Sequence, residues 1–184
     1  MFKILTIKNE ARVLPSKFGL ELSQAVKESV QETVEGKLNP EIGVFLAVTE
    51  IVSVGEGRIL PEDGAIHYLT EFRMLVYQPE MNEVVLGEVV DITEFGAFTR
   101  IGPIDALIHV SQVMDDKVSY DQKNAIFTGK KTSKKLKEGD IVRARIVGVS
   151  LGKARSKISL TMRQPCLGSI EWIEKEKKRK EKEK

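Results

Sequence analysis

The sequence predicts an α+β amino-terminal domain followed by a small, closed all-β barrel. In the first 80 residues, a helix-like repeat of apolar residues lies between strand-like runs. Between residues 84 and 162, five short runs rich in β-branched and aromatic residues are separated by glycine or acidic turns. Charge also changes along the chain, with 8 Lys and Arg against 12 Asp and Glu over residues 1–80, but 14 against 10 over residues 81–163.

Three strand-like runs lie in the amino-terminal domain, which we place at residues 1–80. Residues 1–7 are mostly apolar, with Lys3 as the single charge, and predict the first strand, with residues 9–15 as a connection. Residues 43–54 predict the second strand and residues 66–77 the third. Residues 79–82 are then a short hinge into the barrel.

An amphipathic helix is predicted over residues 16–35, because apolar residues recur there every four positions and would share one helix face. Pro15 suits the start of this helix and Gly36 its end. The apolar face consists of Phe18, Leu22, Val26, Val30 and Val34. The domain is therefore predicted to be strand-helix-strand-strand, an RNP-like α+β arrangement.

A glycine-rich loop is predicted at residues 55–64, GEGRILPEDG, between the second and third strands. Apolar residues at a loop tip either contact another protein or pack beneath their own loop. We take contact with a protein partner as the hypothesis, since the acidic front of the chain also suits a protein partner better than nucleic acid. The candidate docking residues are Gly55, Gly57, Arg58, Ile59, Leu60 and Pro61.

The barrel domain is placed at residues 81–163, with strands at residues 84–92, 95–101, 104–110, 141–149 and 157–162. Its motifs follow in the order G-x-V-x-x-I-x-x-F-G-x-F, L-I-H-x-S, G-D-x-V-x-A-x-I and K-I-S-L. This order resembles the S-one-type RNA-binding domain, a five-stranded OB-fold. Two positions depart from the pattern: Ala106 stands where Gly is usual, and Ser150 where Asp commonly closes the fourth strand.

The resemblance implies that bases stack on aromatic side chains of one barrel face while basic side chains follow the phosphates. Phe95, Phe98 and His109 are the matching positions. Residues three apart on a regular strand point to opposite faces, so we expect Gly96 to mark a bend that brings both rings to one side. The alternatives are a phenylalanine in the core and a structural His109 that bonds Ser111. The basic candidates are Arg100, Arg143, Arg145, Lys130, Lys131, Lys134 and Lys135.

Residues 113–138 form an insertion between the third and fourth barrel strands. An extra strand pair is predicted around residues 118–120 and 125–128, followed by a lysine cluster. The lysines either meet nucleic acid or form a solvated loop. Asp115 and Asp116 make a metal site conceivable, although no third ligand is evident. After the barrel, residues 164–184 comprise a segment held by Leu167, Ile170 and Trp172, and a charged tail that is a frayed helix or disordered.

Composition excludes several classes of protein. The 184 residues are 41% hydrophobic and 30% charged, as is ordinary for a soluble globular protein. No run approaches the roughly 18 apolar residues of a membrane span and no signal peptide opens the chain, which predicts a cytoplasmic location. Cys166 is the only cysteine, and His67 and His109 are the only histidines, so no internal disulfide, metal cluster or cofactor is expected.

Over essentially its full length the chain resembles the archaeal RNA polymerase stalk subunit, the counterpart of the seventh subunit of the eukaryotic nuclear polymerases. The most specific matches are LIHVSQVMDD at residues 107–116 and SLTMRQPCLG at residues 159–168. The resemblance implies a non-catalytic subunit of a DNA-directed RNA polymerase. Its tip would dock on the core enzyme, a smaller stalk subunit would pack at the junction of the two domains to give a heterodimer, and its barrel would face emerging single-stranded RNA.

Three other classes remain as alternatives. A cap subunit of an exosome-like complex carries such a barrel, but usually adds a GxxG-containing KH domain or paired cysteines after it. A translation initiation factor subunit places the barrel first. A self-contained enzyme is the weakest alternative, because the sequence has no nucleophile-base constellation, no G-x-x-x-x-G-K loop and no convergent carboxylates.

Overall fold

A computed structural model describes residues 1–152 and 156–182. The chain divides into two compact units, Met1–Gln78 and Pro79–Lys184. The first is an α+β sandwich of one sheet and one helix, and the second is built on a closed five-stranded barrel, which confirms the predicted fold class. No helix in the described part of the chain is long and apolar enough to cross a membrane.

The first unit is an antiparallel sheet with a helix on one face. Its strands are β1 (Phe2–Val13), β2 (Leu38–Asn39), β3 (Gly43–Ile59) and β4 (Ile66–Tyr77), in the spatial order β1-β4-β3-β2. Helix α1 (Leu22–Val34) buries Val26 and Val30 against the sheet. On the sheet side, alternate residues of β4, Phe72, Met74 and Val76, are fully buried, as expected for a strand with one face on the core.

Two predicted boundaries in this unit are wrong. Residues 9–13 are not a connection, because β1 continues to Val13, which pairs with Ile66. Ala11 and Val13 are buried while Glu10 and Arg12 are exposed, and this alternation sustains the strand despite its polar residues. The helix begins at Leu22 rather than Ser16, after a single 3-10 turn at Pro15–Lys17, so Phe18 is 50% exposed and does not belong to the helix face.

The predicted tip loop at residues 55–64 is wrong in its first half. Strand β3 continues through Ile59, which pairs with Ile66, so the connection to β4 covers only residues 60–65. The two glycines serve close packing within the strand pair. A Cβ at Gly55 would lie 2.9 Å from the Leu69 carbonyl oxygen, and one at Gly57 would lie 2.8 Å from the Tyr68 ring.

The second unit holds nine strands and two helices within its described residues. In chain order the strands are β5 (Val84–Thr93), β6 (Gly96–Ile101), β7 (Ile104–His109), β8 (Val118–Asp121), β9 (Ile126–Gly129), β10 (Lys135–Leu136), β11 (Ile141–Leu151), β12 (Ser156–Thr161) and β13 (Gly168–Ser169). The helices are α2 (Val110–Val113) and α3 (Ile170–Lys182).

Five of these strands close the barrel. Strands β5, β6 and β7 form an antiparallel meander, β11 pairs with both β5 and β12, and β12 runs parallel to β7. Closure removes the sheet edges and encloses one apolar interior. Residues from all five strands fill it, namely Val89, Ala97, Ile108, Ile146 and Leu160.

The insertion folds as a three-stranded sheet of order β10-β9-β8, so the predicted extra strand pair is confirmed and gains a third short strand. Phe127 and Leu136 are fully buried in it. The Tyr120 hydroxyl donates to the Ile92 carbonyl oxygen at 3.2 Å and so ties the sheet to the end of β5. Trp172 at the start of α3 is buried, as predicted, and its Nε1–H donates to the Lys135 carbonyl oxygen at 3.1 Å.

Candidate nucleic-acid interface

Two phenylalanine rings lie together on the outside of the barrel. Phe95 is in the turn between β5 and β6, and Phe98 is in β6. Their ring centroids are 5.9 Å apart and their planes nearly perpendicular, at 88°. Phe95 is 47% exposed and Phe98 is half-buried, so neither ring belongs to the buried core. The pair therefore presents aromatic surface to solvent in a fixed edge-to-face arrangement.

Gly96 makes this arrangement possible. It pairs with His109 of β7, and a Cβ at this position would lie 2.4 Å from the Ile108 carbonyl oxygen. The Phe95 carbonyl oxygen accepts a hydrogen bond from Val110 N at 2.9 Å, which draws the turn onto the start of α2. Because Phe95 precedes the strand, the alternation of strand faces does not separate it from Phe98.

His109 lies directly across the β6–β7 pair from Gly96 and its side chain is exposed. Its Nδ1 accepts from Ser111 N at 3.3 Å and lies 2.8 Å from Ser111 Oγ, so it caps helix α2. His109 therefore makes the hydrogen bond to Ser111 that the structural alternative for this residue expects. Since Nδ1 accepts, the neutral ring carries its proton on Nε2, and the exposed ring remains available to a ligand.

The outer face around the aromatic pair extends across three strands. Phe98 pairs with Leu107 of β7, and Leu107 pairs with Ser159 of β12. Lys157 lies two residues before Ser159, on the same face, and is exposed. Sequence reasoning did not select Lys157. The alternation in K-I-S-L, with Ile158 and Leu160 buried, was the signal that could have found it.

Of the three candidate arginines, only Arg100 lies near the rings. Arg100 follows Phe98 on the same face but pairs with Asp105 at 3.1 Å, and it lines a cavity with Glu88 and Glu138. Arg143 and Arg145 pair with Leu86 and Val84, near the start of β5, whereas Phe98 pairs with Asp91 near its end. At about 3.3 Å per residue, five to seven residues separate them by roughly 17–23 Å along that strand.

The lysine cluster lies on the insertion, where Asp116 shapes the turn between β9 and β10. Its Oδ2 accepts from Lys131 N at 2.8 Å, Thr132 N at 2.9 Å and Thr132 Oγ1 at 3.0 Å. These bonds, led by the Thr132 backbone N–H, hold the pKa of Asp116 below its usual value. Asp115 instead pairs with Arg163. In the described residues no three His, Cys, Asp or Glu side chains converge on a metal position.

At the tip of the first unit, the connection between β3 and β4 leaves apolar side chains in solvent. Ile59 is 74% exposed and Leu60 is 44% exposed, so neither packs beneath the loop. Arg58 and Pro61 flank them and are also exposed. An apolar pair held out at the end of the sheet, where β1 and β3 both pair with Ile66 of β4, is a feature typical of a contact surface.

Asp63 fixes the conformation of this tip. Its carboxylate accepts two hydrogen bonds from the Arg12 guanidinium, at 2.6 and 2.8 Å, and lies 2.8 Å from His67 Nε2. It also accepts from Ala65 N at 3.1 Å, within its own loop. The Arg12 guanidinium foremost, and then His67, hold the pKa of Asp63 far below its usual range. This clamp had no signal in the sequence, because Arg12 is 51 residues away from Asp63.

The clamp predicts a pH-dependent stability of the first unit. Because the pKa of Asp63 is lower in the folded chain than the unfolded value of about 3.9, its stabilisation is present above that pH and lost as the pH falls below it. Asp63→Asn should therefore melt below wild type at pH 6, and the gap should narrow below about pH 4. Asp105→Asn, in an exposed ion pair, is the control and should change melting little at either pH. A difference in melting temperature between Asp63→Asn and wild type that stays the same below about pH 4 would contradict a stabilising role of this clamp.

Two family models match the chain. The model of the S1 RNA binding domain matches residues 78–163. The model described as "SHS2 domain found in N terminus of Rpb7p/Rpc25p/MJ0397" matches residues 10–64. The first match covers the barrel with its insertion, and the second covers the end of β1, helix α1, β2 and β3 and stops before β4.

Individual relatives are similar over nearly the whole chain. The DNA-directed RNA polymerase subunit Rpo7 of Sulfolobus acidocaldarius is 38% identical over 96% of this chain and 97% of its own. Rpo7 of Saccharolobus solfataricus is 36% identical over 97% of this chain and 100% of its own. Similarity to the DNA-directed RNA polymerase II subunit RPB7 of Saccharomyces cerevisiae is shorter, 32% identical over 59% of this chain and 64% of the relative.

Proposed function

The chain belongs to the Rpo7 family of DNA-directed RNA polymerase subunits, and on that basis we propose how its parts divide the work of a polymerase stalk. It is a non-catalytic subunit of a nucleotidyltransferase complex, and its S1-type barrel is an RNA-binding domain. The tip of the first unit docks on the core enzyme, and the barrel binds single-stranded RNA as it emerges. The observation that carries the RNA role is the exposed Phe95–Phe98 pair.

The RNA face consists of Phe95, Phe98 and His109, with Lys157 beside them. Base stacking on aromatic rings contributes about 1–3 kcal/mol per base and tolerates any base, so sequence preference is slight. The strand 2 and strand 3 face of an OB-fold is its usual oligonucleotide surface, and β6 and β7 hold these positions here. Arg143 and Arg145 lie away from this face. They contribute to RNA binding only where the RNA extends along the barrel beyond the aromatic pair.

The smaller stalk subunit of the polymerase is the partner we assign to the edge of the amino-terminal sheet. Strand β1 lies at that edge, and on the sheet face opposite α1 it carries Phe2, 55% exposed, and Ile4, 64% exposed. Phe2 stands edge-on to Tyr77, with ring centroids 5.0 Å apart. A long edge strand with exposed apolar side chains invites pairing with another chain. Without that partner, the isolated chain is expected to self-associate.

Ile4→Lys tests the assignment of this edge. The added charge should weaken binding of the smaller subunit at least tenfold, because it places an ammonium group in an apolar contact. The fold should survive, since the side chain is exposed in the free chain. Titration of the labelled smaller subunit measures the effect. Leu20→Lys, which charges another exposed aliphatic residue outside the edge, is the matched control. Equal weakening by both variants, or by neither, would reject this edge as the interface.

The proposed function as a whole is tested by affinity capture of the tagged chain from a native extract. The expected eluate contains the large polymerase subunits and one smaller subunit in equal amount with the bait. Recovery of ribonuclease subunits instead would identify an exosome cap, and recovery of translation factors would identify an initiation factor subunit. Turnover of labelled RNA by the pure chain would contradict a non-catalytic role.

A further inference from the structure

A groove of about 520 Å³ lies between helix α3 and the turn that joins β9 to β10. It belongs entirely to the second unit and is separate from the aromatic pair, none of whose residues line it. Cationic side chains outnumber carboxylates in its walls by five to three. The cationic residues are Lys134, Lys135, Lys137, Lys175 and Arg179.

The carboxylates of the groove are already engaged. Glu176 pairs with Lys134 at 2.6 Å, and Glu171 lies 3.7 Å from Lys175. Asp140 accepts from the backbone N–H of Lys137 at 2.9 Å. Lys135 and Lys137 are exposed, and neither side chain has a carboxylate within ion-pair distance among the residues that the structure describes. Two ammonium groups thus remain available to an anion.

The aromatic wall of the groove is not a stacking surface. Trp172 is only 7% exposed, and its Nε1–H is used by the Lys135 carbonyl oxygen at 3.1 Å. The Lys134 ammonium lies 5.5 Å from the ring centroid, and a Cβ at Gly168 would be 2.9 Å from the ring. With its ring covered, the groove offers charge but no aromatic face for a base, and it would bind a ligand through phosphates alone.

Positive charge continues from both ends of the groove. Beyond Ile173, α3 buries none of its described side chains, and Lys178 continues the side marked by Lys175 at a spacing of three residues. At the other end, Lys130 and Lys131 lie on the turn that Asp116 holds in place. A cationic path of this kind matches the regular spacing of charge along a nucleic-acid backbone.

We propose that this groove binds the phosphate backbone of RNA, as a second contact that holds the transcript independently of its sequence. The proposal rests on the RNA-binding role proposed above and adds a site with different chemistry. Bases stack at the Phe95–Phe98 pair, whereas the groove contacts phosphates through Lys135 and Lys137. The first site therefore governs affinity at any salt concentration, and the second governs how steeply affinity falls as salt is raised.

The test compares the full wild-type chain with Lys135→Gln/Lys137→Gln in binding to a 16-nucleotide oligouridylate between 50 and 200 mM salt. Each phosphate contact with a single strand contributes about 0.7 to the slope of log K against log salt, so the slope should become shallower by about 1.4. Over that range the wild type should lose roughly sevenfold more affinity than the variant. Lys8→Gln/Lys37→Gln, with the same charge change in the first unit, should keep the wild-type slope.

Each result bears on the proposal. An unchanged slope for the groove variant, with normal RNA binding by the wild type, overturns the proposed phosphate site in the groove. It leaves the proposed stacking of bases on the aromatic pair unaffected. Equal flattening in the control variant shows a general charge effect and also overturns it. A variant that loses affinity for duplex DNA but not for oligouridylate assigns the groove to DNA instead of RNA. A wild-type chain that binds no RNA overturns both proposals, and melting curves of all variants verify that they are folded.

Discussion

Replacing Ile59 and Leu60 together with aspartate should release the chain from the polymerase core, with a loss of affinity of a hundredfold or more. Both side chains are exposed in the free chain, at 74% and 44%, so the fold has little to lose from the change. In the complex, each would bury a charge without a partner, and unpaired buried charges cost several kcal/mol. Reconstitution with the core enzyme, followed by gel filtration, measures retention of the chain.

The control for the tip is Val52→Asp, which charges an apolar residue of the same strand, 46% exposed, away from the tip. It should bind the core normally and melt like wild type. Substitution is preferable to deletion here, because β3 pairs with β4 through Ile59 and a deletion would shift the register of this strand pair. Core binding retained by the double aspartate variant would show that the tip is not the docking element.

Truncating Phe98 to alanine should weaken binding of single-stranded RNA roughly tenfold or more, as loss of one stacked base of about 1–3 kcal/mol requires. Melting should fall by much less than for a core phenylalanine, whose truncation costs about 3–5 kcal/mol. Phe98 is half-buried, and the ring it contacts, Phe95, is 47% exposed. The double variant should bind RNA more weakly still, while His109→Ala should act more modestly.

Leu86→Ala is the matched control for the aromatic pair. It removes an apolar side chain that is 59% exposed on the outer surface of the same barrel, on a part of β5 remote from Phe98. RNA affinity should be unchanged in this variant. If Phe98→Ala instead binds RNA normally and unfolds at a markedly lower temperature, Phe98 is a structural residue, and the RNA face lies elsewhere on the barrel.

Strand positions in the barrel could be predicted to within two residues because buried and exposed residues alternate over most of each strand and turns are marked by glycine. The end of β3 at the tip could not be predicted, since Gly55 and Gly57 are compatible with either of two local structures that look alike in sequence. Glycine permits a loop, but it also permits a strand to approach a neighbouring ring or carbonyl closely. Likewise, the four-residue spacing that includes Phe18 did not reveal that Phe18 closes a separate 3-10 turn and that the helix begins at Leu22.

Side-chain hydrogen bonds were the other feature that the sequence did not predict. Asp63 and Asp116 each organise a turn by accepting from backbone N–H groups and from side chains distant in sequence. Such bonds depend on tertiary proximity, so the sequence showed only an acidic residue in a loop. The aromatic pair could be predicted because both phenylalanines lie within two residues of Gly96. Only the lysine cluster of the groove could be predicted from the sequence. The other wall of the groove is α3, and the burial of Trp172 places this helix there.

Nascent-RNA crosslinking in a stalled elongation complex tests the central claim most directly. The transcript would carry 4-thiouridine near its 5′ end and would be extended until that end leaves the enzyme. We expect a crosslink to this chain that appears only once the RNA has emerged, maps to residues 95–109 and is lost with Phe95→Ala/Phe98→Ala. A complex that retains the chain but never crosslinks its barrel, at any transcript length, would contradict the account.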